Sequence, residues 1–165
     1  MNKLYIAILI VAGFAFTQLS PVVSVKDFKY AFGKWKGTLT YLDYSSGKPY
    51  TMPANITIGR DNTNDRQLIL AFVYPDEPKA NGNDTLVISK DGLQINGAAV
   101  VSKKKNSKGF LEIITEKNGV DGNDNRKAVL KHIYTISKRA FSNRKEVRFD
   151  GEENFILRNE YKMHR

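Results

Sequence analysis

The sequence predicts an all-β protein: a single closed antiparallel up-and-down barrel of about eight to ten strands, with a short N-terminal helix capping one end. Three observations point there. From Gly37 onward, apolar and polar residues alternate in one short segment after another, the period of a strand with one buried face. Between the segments stand turn residues, including Asp91-Gly92 and Asp150-Gly151, and such glycines take the positive φ that a tight hairpin needs. The connections leave no room for crossover helices. Successive strands must then pair with their neighbours, and closing such a meander removes its exposed edges.

Taken in order, Met1-Asn2-Lys3 gives a positive start and Leu4 to Phe16 is an uncharged apolar run. At about 13 residues it is short of the about 20 that span a bilayer and has the size of a signal-peptide core. Residues 1–20 are therefore expected to be a signal peptide, cut somewhere between 15 and 20, with residues 21–165 as the barrel domain. An extracytoplasmic location follows, periplasmic or secreted. From Val22 to Phe32, Val25, Phe28, Ala31 and Phe32 recur at spacings of three and four, which predicts a turn or two of helix with Ser24 as its cap. The one tryptophan, Trp35, follows it.

Strands are expected over 37–44, 51–59 and 67–74, then over 85–90 and 93–102 around Asp91-Gly92. Further strands are expected over 109–117, 128–137 and 141–149, and from Asn154 to His164. The segment from Gln67 to Tyr74 is apolar on both faces, so its outer side should pack under the short helix or another subunit. Residues 118–125 read as a polar loop.

The chain has 165 residues, 41% of them hydrophobic, with nine Phe and eight Tyr. That is enough for one domain with a real core and excludes a disordered or fibrous protein. A formal charge of +9, from 26 Lys plus Arg against 17 Asp plus Glu, favours acidic partners over basic ones. There is no cysteine. Disulfides, thiolate metal sites and cysteine nucleophiles are thereby excluded, and the core must supply the stability alone.

Gly33-x-Trp35 after a short N-terminal helix, together with an arginine on the last strand, resembles the calycin group of lipocalins and fatty-acid-binding-like barrels. Small exported bacterial members are the nearest class. The resemblance implies that an arginine lies across the tryptophan and closes one end of the barrel. Arg158, which strand alternation turns outward, is the expected partner of Gly33 and Trp35 in that closure.

Few residues could carry chemistry. His132 lies mid-strand beside Leu130 and Tyr134, where it could be a general base, an axial haem ligand or a hydrogen-bonded wall residue. His164 sits near the C-terminus. With two histidines and no cysteine, no metal or other cofactor is assigned. Asp121 to Asn125 looks like a calcium loop, but Arg126 stands where glycine is required and His132 where the glutamate should be, so a turn is the better reading. Lys103, Lys104, Lys105 and Lys108 form a basic hairpin tip that could contact anionic surfaces. No aromatics interleave it, so nucleic acid is not an expected partner.

The expected function is that of an exported lipocalin-like binding protein holding a small, mostly apolar ligand in its cavity. Strand parity puts Tyr41, Phe72, His132, Tyr134, Asn159 and Tyr161 on the lining. Two alternatives stay open: an enzyme using His132 or an inward carboxylate as base in the same cavity, or a ligand-free interaction protein of the envelope. No catalytic residue is assigned, binding is preferred to catalysis, and the sequence leaves the oligomeric state open.

Overall fold

A computed structural model describes residues 21–165, so the expected signal peptide lies outside the described residues. Ten antiparallel strands form one sheet: β1 (Gly33–Asp43), β2 (Lys48–Arg60), β3 (Gln67–Val73), β4 (Gly82–Val87), β5 (Gln94–Ile95), β6 (Ala98–Lys105), β7 (Leu111–Asp121), β8 (Arg126–Ile136), β9 (Ala140–Phe149) and β10 (Ile156–His164). The sheet order is β4-β3-β2-β1-β10-β9-β8-β7-β6-β5. Every neighbour is a sequence neighbour except β1 and β10, which join the two ends of the chain along Lys36 to Tyr41. One bridge, Ile88 to Ile95, brings the outer strands together. The result is a nearly closed up-and-down barrel, as alternation predicted.

Inward alternation builds the core. Ile56, Ile58, Leu68, Leu70, Ile113, Tyr134, Phe141 and Met163 pack into one cluster at the end where β1 begins. The N-terminal segment closes that end, with Val23, Val25, Phe28 and Ala31 joining the same cluster. The expected helix is reduced to a single 3-10 turn, Val25–Phe28. Ser24 stands at its N-cap position, where the Asp27 carboxylate accepts from the Ser24 N–H at 2.8 Å. No α-helix occurs among the described residues.

Trp35 is 2% exposed, and its indole N–H donates to the Ala31 carbonyl at 2.6 Å. The arginine laid over it is Arg165, with its guanidinium carbon 4.2 Å from the ring. Arg165 also donates to the carbonyls of Tyr30, Phe32 and Lys138, so it ties the N-terminal segment to the β8–β9 turn. Gly33, at φ +108, leaves room for that guanidinium, 3.1 Å from where its Cβ would be.

The expected assignment of Arg158 to this seal is thus corrected. A β-bulge after Leu157 shifts the register between Leu157↔Glu146 and Asn159↔Lys145. The extra residue, Arg158, is turned inward at the other end of the barrel, over the Tyr44 ring at 4.4 Å. Two further expectations change. β7 runs on through Asp121, so the polar loop shrinks to the turn before Arg126. The short N-terminal turn does not cover the outer face of β3, where Ile69 is 38% and Val73 45% exposed within the single chain.

Candidate functional site

The barrel interior changes character along its axis. The Trp35 end is filled by the main apolar cluster. Toward the other end the apolar residues separate into two walls. Met52, Ala54 and Tyr74 form one, with Leu39, Tyr41, Phe72 and Tyr161 against them. Ala128, Leu130, Val147 and Phe149 form the other, with Tyr44 and Ile156. A polar band runs along the inner face between them.

Register places Thr115 and His132 opposite each other on β7 and β8, and His132 opposite Lys145 on β9. Asn159 faces both Lys145 and Tyr41. The His132 Nδ1 lies 3.3 Å from Asn143 Oδ1. In the tautomer whose Nδ1–H donates to that oxygen, Nε2 is left as an acceptor. Thr115 is 1% exposed, and its hydroxyl finds no hydrogen-bond partner among the described residues. Such a group costs about 1–3 kcal/mol unless something pairs with it.

Of the six expected lining residues, Phe72 and Tyr161 meet at 5.0 Å between ring centroids, and Tyr161 shares a 2.7 Å hydroxyl–hydroxyl hydrogen bond with Tyr74. His132 stacks on Tyr134 at 6.1 Å. Tyr134 is fully built into the core, edge-on to Phe28. Tyr41 sits nearer the rim against Tyr50, 5.5 Å away. Two surface clefts are sizeable, and the first borders the wall that contains Ala128 and Phe149. One of about 580 Å³ runs over β7, β8 and β9, and one of about 600 Å³ lies at the Trp35 end.

The electrostatics follow from burial. Burial pushes the Tyr134 and Tyr161 phenols up, and the Asp84 carboxylate adds to both shifts. The His132 pKa is lowered, chiefly by burial and further by the nearby cations Lys145 and Lys117, against the opposing effects of Asn143 and Asp84. His132 is therefore neutral at physiological pH. An unfolded chain takes up the proton first as pH falls through about 6.5, so the stability this group contributes is intact above that value and lost below it. Melting temperature is expected to drop between about pH 7 and about pH 5, and His132→Gln to flatten the slope. Thermal melts across that window check it, and a wild-type melting temperature independent of pH contradicts it.

Nearer the rim, Asp121 holds the strongest charge cluster. Its carboxylate accepts from Lys145 Nζ, from Arg158 Nε at 3.2 Å, from the Tyr44 hydroxyl at 3.1 Å and from the Gly122 N–H at 2.8 Å. Burial opposes ionisation, but these donors, Lys145 first, hold its pKa below the usual carboxylate range. Burial, reinforced by Asp121, pushes the Tyr44 phenol up to about 12. Those partners engage the carboxylate of the calcium-like loop. Among the described residues no three His, Cys, Asp or Glu side chains gather as metal ligands.

Sequence reasoning missed Asp84, Thr115, Lys117, Asn143 and Lys145. Lys117 and Asp84 mark an opening in the wall. β6 pairs with β7 only as far as Ala99↔Glu116, and β4 and β5 share no ladder, being joined just past β4 by the Ile88–Ile95 bridge and by hydrogen bonds of Val87 and Thr85 with Asn96. From Lys117 to Asp121, β7 has β8 on one side and no strand on the other. Lys117 Nζ reaches the Asn96 carbonyl at 3.5 Å across this gap. The signal was available in β9, where Phe141, Asn143, Lys145, Val147 and Phe149 share one face. Polar residues within an inward row mark a lined space more than a filled core.

No protein-family model matches the chain. No curated protein matches it. Among solved structures, the "Crystal Structure of Rv2717c from M. tuberculosis" is similar at a TM-score of 0.49 and 13% identity, covering 86% of this chain and 96% of that one. A likeness at that level carries no argument about activity, so the candidate site stands on its own residues.

Proposed function

We propose that the protein is an exported binding protein that holds one small, mostly apolar molecule in the half of the barrel away from Trp35. The observation that carries this reading is the separation of two apolar walls by an inward polar band, with Thr115 Oγ1 lacking a partner. Apolar burial supplies affinity at about 25 cal/mol per Å². His132, Asn143 and Thr115 orient the ligand by hydrogen bonds, and the gap beside Lys117 gives a side entrance. Export rests on the charged start and the apolar run from Leu4 to Phe16. Native mass spectrometry of protein purified from its own host is expected to show one added small mass. A bare chain that also fails to take up an apolar fluorescent dye would overturn the reading.

A second reading keeps the interior and uses it for catalysis. The observation that favours it is His132, half-buried, neutral and hydrogen-bonded to Asn143, the state a general base requires. The two separate cleanly: a carrier releases its molecule unchanged on prolonged incubation, whereas an enzyme alters its mass.

A further inference from the structure

We infer that the Trp35 end of the barrel is a docking face for a bilayer surface bearing anionic phosphate headgroups. The inference is independent of what the interior binds. A groove of about 600 Å³ at this end is lined by Lys26, Lys29, Lys105, Lys108 and Lys138. They come from three separate places: the 3-10 turn and its exit, the β6–β7 hairpin and the β8–β9 turn. All five are exposed, and none has a carboxylate partner among the described residues.

The one acidic lining residue, Asp27, is already engaged, with Lys103 Nζ at 2.7 Å and the Ser24 N–H at 2.8 Å. Two of the four hairpin lysines singled out from sequence are thus partly spent internally, Lys103 on Asp27 and Lys104 near Glu112 at 3.8 Å. Lys105 and Lys108 remain, and the fold adds Lys26, Lys29 and Lys138 to them.

The groove is also amphipathic. Tyr30, 38% exposed, lies between Lys29 and Lys138, whose ammonium groups are 4.9 Å and 5.8 Å from its ring. Phe110 and Leu111 line the same groove. Aromatic rings beside lysines suit the headgroup layer, where one part of the side chain is dry and the other wet. The opposite end is the more acidic, with Asp76, Glu77, Asp124, Asp150, Glu152 and Glu153 against Lys48 and Lys79, while Asp61, Asp65 and Asp91 are in the turns at the groove end. That separation of charge orients the molecule in the field of an anionic surface with the groove leading. The described chain also begins here: Val23 N–H donates to the Gly92 carbonyl, and five residues separate Val22 from the apolar run Leu4 to Phe16.

The test is co-sedimentation of the full chain with vesicles of phosphatidylcholine alone and of phosphatidylcholine with phosphatidylglycerol, read as the ratio of the two partition coefficients. That ratio cancels any contribution of the apolar run. The triple variant Lys29→Ala, Lys105→Ala, Lys138→Ala is expected to lose the anionic preference by about 100-fold. The triple variant Lys48→Ala, Lys79→Ala, Lys127→Ala removes the same net charge from the far end and is expected to stay within about twofold. Near-ultraviolet dichroism of Trp35 confirms that both fold. Equal losses in the two triples, or no preference for anionic vesicles in the unaltered chain, would overturn the inference. So would a groove triple that loses heparin binding while keeping vesicle binding, because the occupant would then be a soluble polyanion.

Discussion

Gly37→Ala is expected to destabilise the protein by at least about 3 kcal/mol, the upper range for forcing extra volume into a packed site. A Cβ built at Gly37 would lie 2.0 Å from the Lys162 carbonyl oxygen and 2.9 Å from the Met163 Cα. Both are backbone atoms of β10, so no side chain can swing away. The strand must move, and it belongs to the β1–β10 seam that joins the chain ends. Gly59→Ala is the matched control, because a Cβ there meets nothing within 4 Å. Urea denaturation of the two variants checks the difference. Equal stabilities would mean that the seam yields more easily than its geometry implies.

Asp121→Ala is expected to cost about 3 kcal/mol, the figure for removing one partner from a largely buried charge cluster. The Asp121 side chain is 7% exposed, while those of Lys145 and Arg158 are 21% and 27% exposed. The substitution leaves two inward cations facing each other with no counter-charge. A triple variant, Asp121→Leu with Lys145→Met and Arg158→Met, should recover most of the loss, since apolar replacement of the carboxylate and both cations leaves no unpaired charge inside. Because Asp121 titrates below its ordinary value, its contribution is fully present above about pH 4 and is lost as the pH falls through the folded pKa. Urea denaturation at neutral pH and again in acid separates the terms: the gap between wild type and Asp121→Ala should narrow in acid. A constant gap would show that the carboxylate's charge is not what stabilises this end.

The barrel class was legible because strand alternation depends only on which side chains leave water, and most segments kept that rule in the fold. Strand count and the end seal were less so, for local reasons. Asn96-Gly97 is a second tight turn, with positive φ at both residues. It splits the expected strand over 93–102 into β5 and β6. The dipeptide carries the same turn chemistry as Asp91-Gly92, but the surrounding apolar run obscured it. Arg158 shows a different limit. Parity along β10 fails at one extra residue, and nothing in Phe155-Ile156-Leu157-Arg158 marks where the bulge falls. In the candidate site the aromatic wall residues could be read from alternation. Lys117, Lys145 and Asp84 could not, because a lysine or aspartate in a strand is ordinarily assigned to solvent. The gap in the wall leaves Lys117 and Asp84 in solvent, and the Asp121 carboxylate compensates Lys145.

The seam between β1 and β10 also sets the order of events in folding. The chain can zip hairpin by hairpin within β1 to β4 and within β5 to β9, but β1 gains its second neighbour only when Ile156–His164 has been made. Closure therefore waits on contacts between segments more than one hundred residues apart, a slow and strongly non-local step. During synthesis the nascent polypeptide therefore remains an open ribbon until the β10 segment has left the ribosome.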